Sequence, residues 1–132
     1  MLLERKELKD EETLEFFVEA LFDSSNIVKS IYLPAKKTLF IIFKKGVVYS
    51  YSNVDNELYV GFENSDSQGV YFAKNIAKNP ICHYYREYRL YEFEKKEIFA
   101  LIEERKQILK EEKNKSWFYT YNEVKELLYG QN

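Results

Sequence analysis

Residues Ser24 to Phe72 read SSNIVKSIYLPAKKTLFIIFKKGVVYSYSNVDNELYVGFENSDSQGVYF, and the reading of Thr38 to Phe43 decides the rest. In an extended chain Leu39, Ile41 and Phe43 lie on one side and Phe40 and Ile42 on the other. A strand apolar on both sides must be covered on both sides. Upstream, Ile27 to Leu33 alternates as a second strand, and Pro34-Ala35-Lys36-Lys37 turns the chain between them. Downstream, Val47 to Ser52 makes a third strand after Lys44-Lys45-Gly46. Those three residues suit a hairpin loop with Gly46 in the left-handed conformation, which glycine adopts without a steric penalty. In that register Phe43 faces Val47, Ile41 faces Tyr49 and Leu39 faces Tyr51, so both tyrosines share the face of the aliphatic triplet. A shorter Lys45-Gly46 loop would pair Ile42 with Tyr49 and move the tyrosines to the other side; the longer loop is preferred.

Working outward, Asp10 to Phe22 predicts an amphipathic helix. Leu14, Phe17, Val18 and Leu21 fall on one stripe, and Asp10, Glu11 and Glu12 sit at its positive end. Val54 to Glu63 reads as a helix, as does Gly69 to Lys78, which Pro80 stops. Ile81 to Tyr88 is aromatic and partly alternating, a fourth strand or an extended lead-in. Glu92 to Lys113 is a long charged helix with Ile98, Leu101, Ile102, Arg105, Ile108 and Leu109 along one side. A separate last helix follows, with Thr120-x-x-Glu123 as a capping box, Tyr119 and Val124 as its hydrophobic staple and Gly130 as its C-cap.

The order of a Tyr49-x-Tyr51 strand followed by Ser65-x-Ser67-x-Gly69-x-Tyr71-Phe72 resembles the KTSC domain, a small module named after an extension found at the C-terminus of some lysyl-tRNA synthetases. The resemblance runs over residues 24–89 and implies a small α+β fold with a suggested role in RNA binding. An acidic helix over residues 1–23 and a helical C-terminal extension over residues 90–132 are additions to that core. The expected architecture is a single α+β domain over residues 1–132: an antiparallel three- or four-stranded meander packed on short helices, with helical extensions at both ends. The terminal helices would cover the second face of the sheet, where Phe40 and Ile42 need a partner.

Composition narrows the function classes. The chain has 132 residues, 45% hydrophobic and 17% aromatic, with twelve tyrosines and only six glycines and prolines together, which is a globular composition. Its single cysteine, Cys82, excludes an internal disulfide and a cysteine-built zinc site, and its single histidine, His83, removes most other metal constellations. Cys82 and His83 are adjacent, a poor arrangement for a nucleophile and its base. With no P-loop or dinucleotide fingerprint either, no enzyme and no cofactor are expected. The longest apolar run, Leu39 to Phe43, is far short of a bilayer span, and Met1-Leu2-Leu3 is followed at once by charges. A cytoplasmic protein with no membrane contact is expected. A bias toward Lys, Asn, Ile, Tyr and Phe suggests an AT-rich genome, bacterial or phage.

The net charge of −2 is uneven: −5 over residues 1–23, +4 over 24–89 and −1 over 90–132. A basic middle suits phosphate contacts. Tyr49 and Tyr51 point the same way along a strand and would form a stacking platform for the bases of RNA or single-stranded DNA; the competing reading puts both rings in the core. Lys44 and Lys45 at the turn and Arg86 would supply positive charge. Ser65, Ser67, Gly69 and Tyr71 offer either an anion site at a helix start or ordinary capping and packing. Three functions follow in order: a nucleic-acid-binding module, a protein-interaction module working through helix 92–113 (such as a phage factor on a host or virion protein), and a pocket for a small phosphorylated ligand.

Overall fold

Six antiparallel strands lie side by side in chain order in the computed structural model, which describes residues 1–129, with side chains to residue 113. They are β1 (Leu2–Lys9), β2 (Phe16–Phe22), β3 (Ile27–Leu33), β4 (Thr38–Phe43), β5 (Val47–Tyr51) and β6 (Tyr84–Arg89). Helices α1 (Asn56–Glu63) and α2 (Gln68–Phe72), with a π-helical turn over Ala73–Ala77, intervene between β5 and β6, and α3 (Glu92–Tyr129) follows. The class is α+β, but the sheet has six strands rather than three or four.

The meander over β3, β4 and β5 follows the sequence closely. Ile41 faces Tyr49 and Leu39 faces Tyr51, as the longer loop requires. Gly46 has φ +96° and its N–H donates to the Phe43 carbonyl at 2.8 Å. Asp55 caps α1 by accepting from the Leu58 N–H at 2.8 Å.

The two faces of β4 are covered by different layers. On one face Leu39 and Ile41 join Val18, Ala20, Phe22, Ile27, Tyr32 and Tyr51 under Tyr59 and Phe62 of α1, Phe72 of α2 and Ile76 of the π turn. On the other, Ile42 packs with Leu3, Leu21, Val28, Val48 and Leu90 under Ile102, with Phe40, Ile98, Phe99 and Leu109 at the margin. The cover on that second face is thus α3 alone among the helices, and Leu101, expected on its inner side, is exposed.

The N-terminal helix is not formed; residues 10–22 contribute a turn and β2. Val18, Ala20 and Phe22 are buried on the α1 side, a period of two hidden inside a set that also fits a helix. The Asp10 carboxylate accepts from the N–H groups of Glu12 at 2.8 Å and Thr13 at 3.1 Å, closing the β1–β2 turn rather than opening a helix. Leu14, counted on the helical stripe, sits exposed in that turn at φ 61°. The separate last helix is also absent. One helix of 38 residues runs through Thr120, so its backbone there has helical neighbours on both sides and no helix begins there. Gly130 lies outside the described residues. No helix among the described residues is long and apolar enough to cross a membrane.

A candidate nucleic-acid interface on the sheet edge

Strand β6 is one edge of the sheet, and all six of its residues are exposed. Its sequence Tyr-Tyr-Arg-Glu-Tyr-Arg lacks the apolar alternation that would bury one side. Pairing places Tyr84 beside Tyr51 and Arg86 beside Tyr49 on the α1–α2 face, and Tyr85 beside Ser50 on the other. Between Val48 and Tyr49 the register shifts, leaving Glu87 as a bulge whose carboxylate accepts from Ser50 Oγ at 2.5 Å. Of the exposed large apolar and aromatic side chains, Ile81, Tyr84, Tyr85, Tyr88, Tyr91 and Phe93 all fall within thirteen residues of sequence. That concentration makes the β6 edge the candidate contact surface.

On the α1–α2 face the rings form a graded series from core to solvent. Phe72 is buried and meets Phe43 edge-on at 5.7 Å and Tyr51 at 5.1 Å. Phe43 meets Tyr49 at 5.9 Å, and Tyr49, half-buried, meets Tyr84 at 6.1 Å. Tyr84 is 67% exposed and ends the series. Edge-to-face contact is the favoured geometry for such pairs, and here it leaves an open ring face at Tyr84 with Arg86 two positions along on the same side. Tyr91 and Phe93 stack on each other at 5.8 Å beside the start of α3.

The residues singled out from the sequence separate on the structure. Tyr49 and Arg86 come together as described. Tyr51 does not join them as an open ring: it is 7% exposed, wedged between Phe72 and Tyr84. Burial, with smaller contributions from Tyr49 and Tyr84, pushes its phenol up to about 12. Lys44 lines a small cleft with Val28, Phe99 and Lys106 on the α3 side of the sheet. Lys45 lends its carbonyl to Arg89 Nη2 at 3.4 Å. Ser65 Oγ donates to the Phe62 carbonyl at 2.9 Å, and Ser67 Oγ caps α2 by accepting from the Val70 N–H at 3.4 Å. A side chain at Gly69 would meet nothing nearer than Ser24 Oγ at 4.0 Å. Tyr71 donates to the Leu58 carbonyl at 3.1 Å, its hydroxyl lying against Gly61, where any Cβ would collide with it. These four residues build the α1–α2 corner, and their polar atoms are engaged locally.

Tyr84, Tyr85 and Tyr88 were not named from the sequence as site residues, although the alternation of Ile81 to Tyr88 pointed to a strand. The missing information was strand order: only an edge position turns aromatic strand residues into exposed ones.

The family model described as KTSC domain matches residues 23–79, so the resemblance read from Tyr49-x-Tyr51 and the Ser65–Phe72 element holds over that segment. A KTSC domain protein from Yersinia pestis is similar in structure over 55% of this chain and 99% of its own length, at 21% sequence identity and a TM-score of 0.49. No curated protein matches the chain. The matched segment ends before β6, so the exposed aromatic edge lies outside it.

Proposed function

We propose that the protein is a non-enzymatic binding module whose ligand is single-stranded nucleic acid, held across β5 and β6 on the α1–α2 face. The observation that carries this reading is the run from Tyr49 to the open ring of Tyr84 with Arg86 on the same side. A base stacks on an exposed tyrosine whatever its identity, and a guanidinium beside it can meet a phosphate or stack on a base in turn. The ligand would follow an extended, sequence-tolerant path over these rings. The Cys82 thiol is buried and pushed up by desolvation, away from the thiolate that a cysteine nucleophile needs.

The test is fluorescence anisotropy with labelled oligo(U) and oligo(dT) against a duplex of equal length. Single strands should bind and the duplex should not compete. With Arg86 and Arg89 as the available cations of β6, neutralising one or two phosphates gives a shallow log–log salt slope of about −1. Arg86→Ala should flatten that slope, and Tyr84→Ala should weaken binding equally at all salt concentrations. No binding at low salt removes this reading.

A further inference from the structure

The unpaired side of β6 has a backbone pattern that can be read from its paired side. The Ser52 N–H donates to the His83 carbonyl at 2.9 Å, and the Leu90 N–H donates to the Gly46 carbonyl at 2.8 Å. In an antiparallel ladder the residues that bond inward alternate with those that point out. His83 and Tyr85 therefore turn their backbone groups toward β5, and Tyr84 and Arg86 turn theirs away from the sheet. The bulge at Glu87 resets the alternation, so that Tyr88 and Leu90 again face β5. Two outward-facing residues thus precede the bulge with nothing bonded to them among the described residues.

We infer that this edge pairs with β6 of a second copy of the same chain, antiparallel about a two-fold axis at Tyr85. In this register Tyr84 and Arg86 of one copy exchange backbone hydrogen bonds with Arg86 and Tyr84 of the other. Directly opposite residues share a face. Each Tyr84 ring then meets the other copy's guanidinium on the α1–α2 side, a cation–π pair made twice. On the α3 side the two Tyr85 rings meet at the axis, and His83 of each copy faces Glu87 of the other. The strand is complementary to itself in charge and ring placement. Centring the axis on Arg86 instead brings two guanidiniums face to face and requires Tyr88, whose backbone points at β5, to bond outward. A net charge of −2 per copy opposes association only weakly. The pairing does not depend on the nucleic-acid reading, and because it takes up the Tyr84 ring and the Arg86 guanidinium that a base and a phosphate would use, the two compete.

Sedimentation velocity of the full chain without oligonucleotide, from about 5 to 200 µM, should show a monomer–dimer equilibrium of the strength expected for a small interface. Arg86→Glu should weaken the dimer at least tenfold, since it sets a carboxylate against the opposing tyrosine. A second measurement fixes the register. At the axis the Tyr85 pair is a non-bonded one, with Cα atoms about 4.5 Å apart, close enough for a disulfide. With Cys82→Ser removing the native thiol, Tyr85→Cys should cross-link under mild oxidation, and Tyr88→Cys, at a position that is also exposed, should not. A protein that remains monomeric at the highest concentration overturns the proposal. So does equal cross-linking at positions 85 and 88.

Discussion

Tyr32 and Tyr59 on one side of the molecule, and Tyr84, Tyr85 and Tyr88 at its edge, put the same residue to opposite uses. Tyr32 and Tyr59 stack face to face with ring centres 4.1 Å apart and planes 7° from parallel, both buried. Each hydroxyl has a partner: Tyr32 donates to the Val54 carbonyl at 2.8 Å and Tyr59 to Glu63 at 3.1 Å. The Glu63 carboxylate is itself buried and held by Arg5 Nε at 2.8 Å, which closes β1 over α1. At β6 the rings stand in solvent, and among the described residues no hydrogen bond engages their hydroxyls. A buried tyrosine is recognised by a satisfied hydroxyl, so twelve tyrosines in the sequence do not amount to twelve candidate contacts. Among the described residues, the three on β6 and Tyr91 are the exposed ones.

The largest effect should come from the buried pair. Tyr59→Ala removes a fully buried ring and leaves Glu63 short of a donor, costing about 3–5 kcal/mol in urea unfolding. Ile102→Ala opens the α3 layer over Ile42 and Val48 and should cost about 2–3 kcal/mol. A loss below about 1 kcal/mol there would mean that α3 is not the cover of the second face. Gly46→Ala should cost about 1 kcal/mol, because φ +96° disfavours any side chain. The flexible Lys95 stem at 2.8 Å from the new Cβ can move aside.

Alkali should act on the buried tyrosines. Tyr51 titrates near 10 when unfolded and at about 12 when folded. The unfolded chain therefore gives up its proton first, and the stability held below pH 10 is lost as the pH rises toward 12. Tyr32, Tyr59 and Tyr71 are raised in the same direction by burial. Tyr51→Phe should make the alkaline loss of stability shallower, measured by urea midpoints between pH 9 and 11.

The sequence was most legible where a local signal and the tertiary fold agree. Thr38 to Phe43 is apolar on both sides, Gly46 ends its hairpin, and the strands, register and two covering layers all follow from those features. It was misleading at residues 10–22, because Phe17, Val18 and Leu21 satisfy a helical stripe and a strand at once. Pairing with β1 on one side and β3 on the other decides between them, and no local pattern encodes that. At the far end, the Thr120 and Glu123 spacing of a capping box falls inside one continuous helix, where there is no helix start to cap. The site was legible in part. Tyr49 and Arg86 meet across β5 and β6, whereas Tyr51 belongs to the core because α2 brings Phe72 down onto it. Tyr84 needed the strand order to be seen.

The smallest effect on stability and the largest on function should coincide at Tyr84. Tyr84→Ala should leave the urea midpoint within about 0.5 kcal/mol of the parent, since the ring is mostly exposed. The direct measurement is anisotropy of labelled oligo(U) at low salt with the parent and Tyr84→Ala side by side. One lost stacking contact predicts binding weaker by about 5- to 30-fold, the equivalent of about 1–2 kcal/mol. Equal affinity in the two proteins, or no binding by the parent, would contradict the assignment of this edge as a nucleic-acid interface.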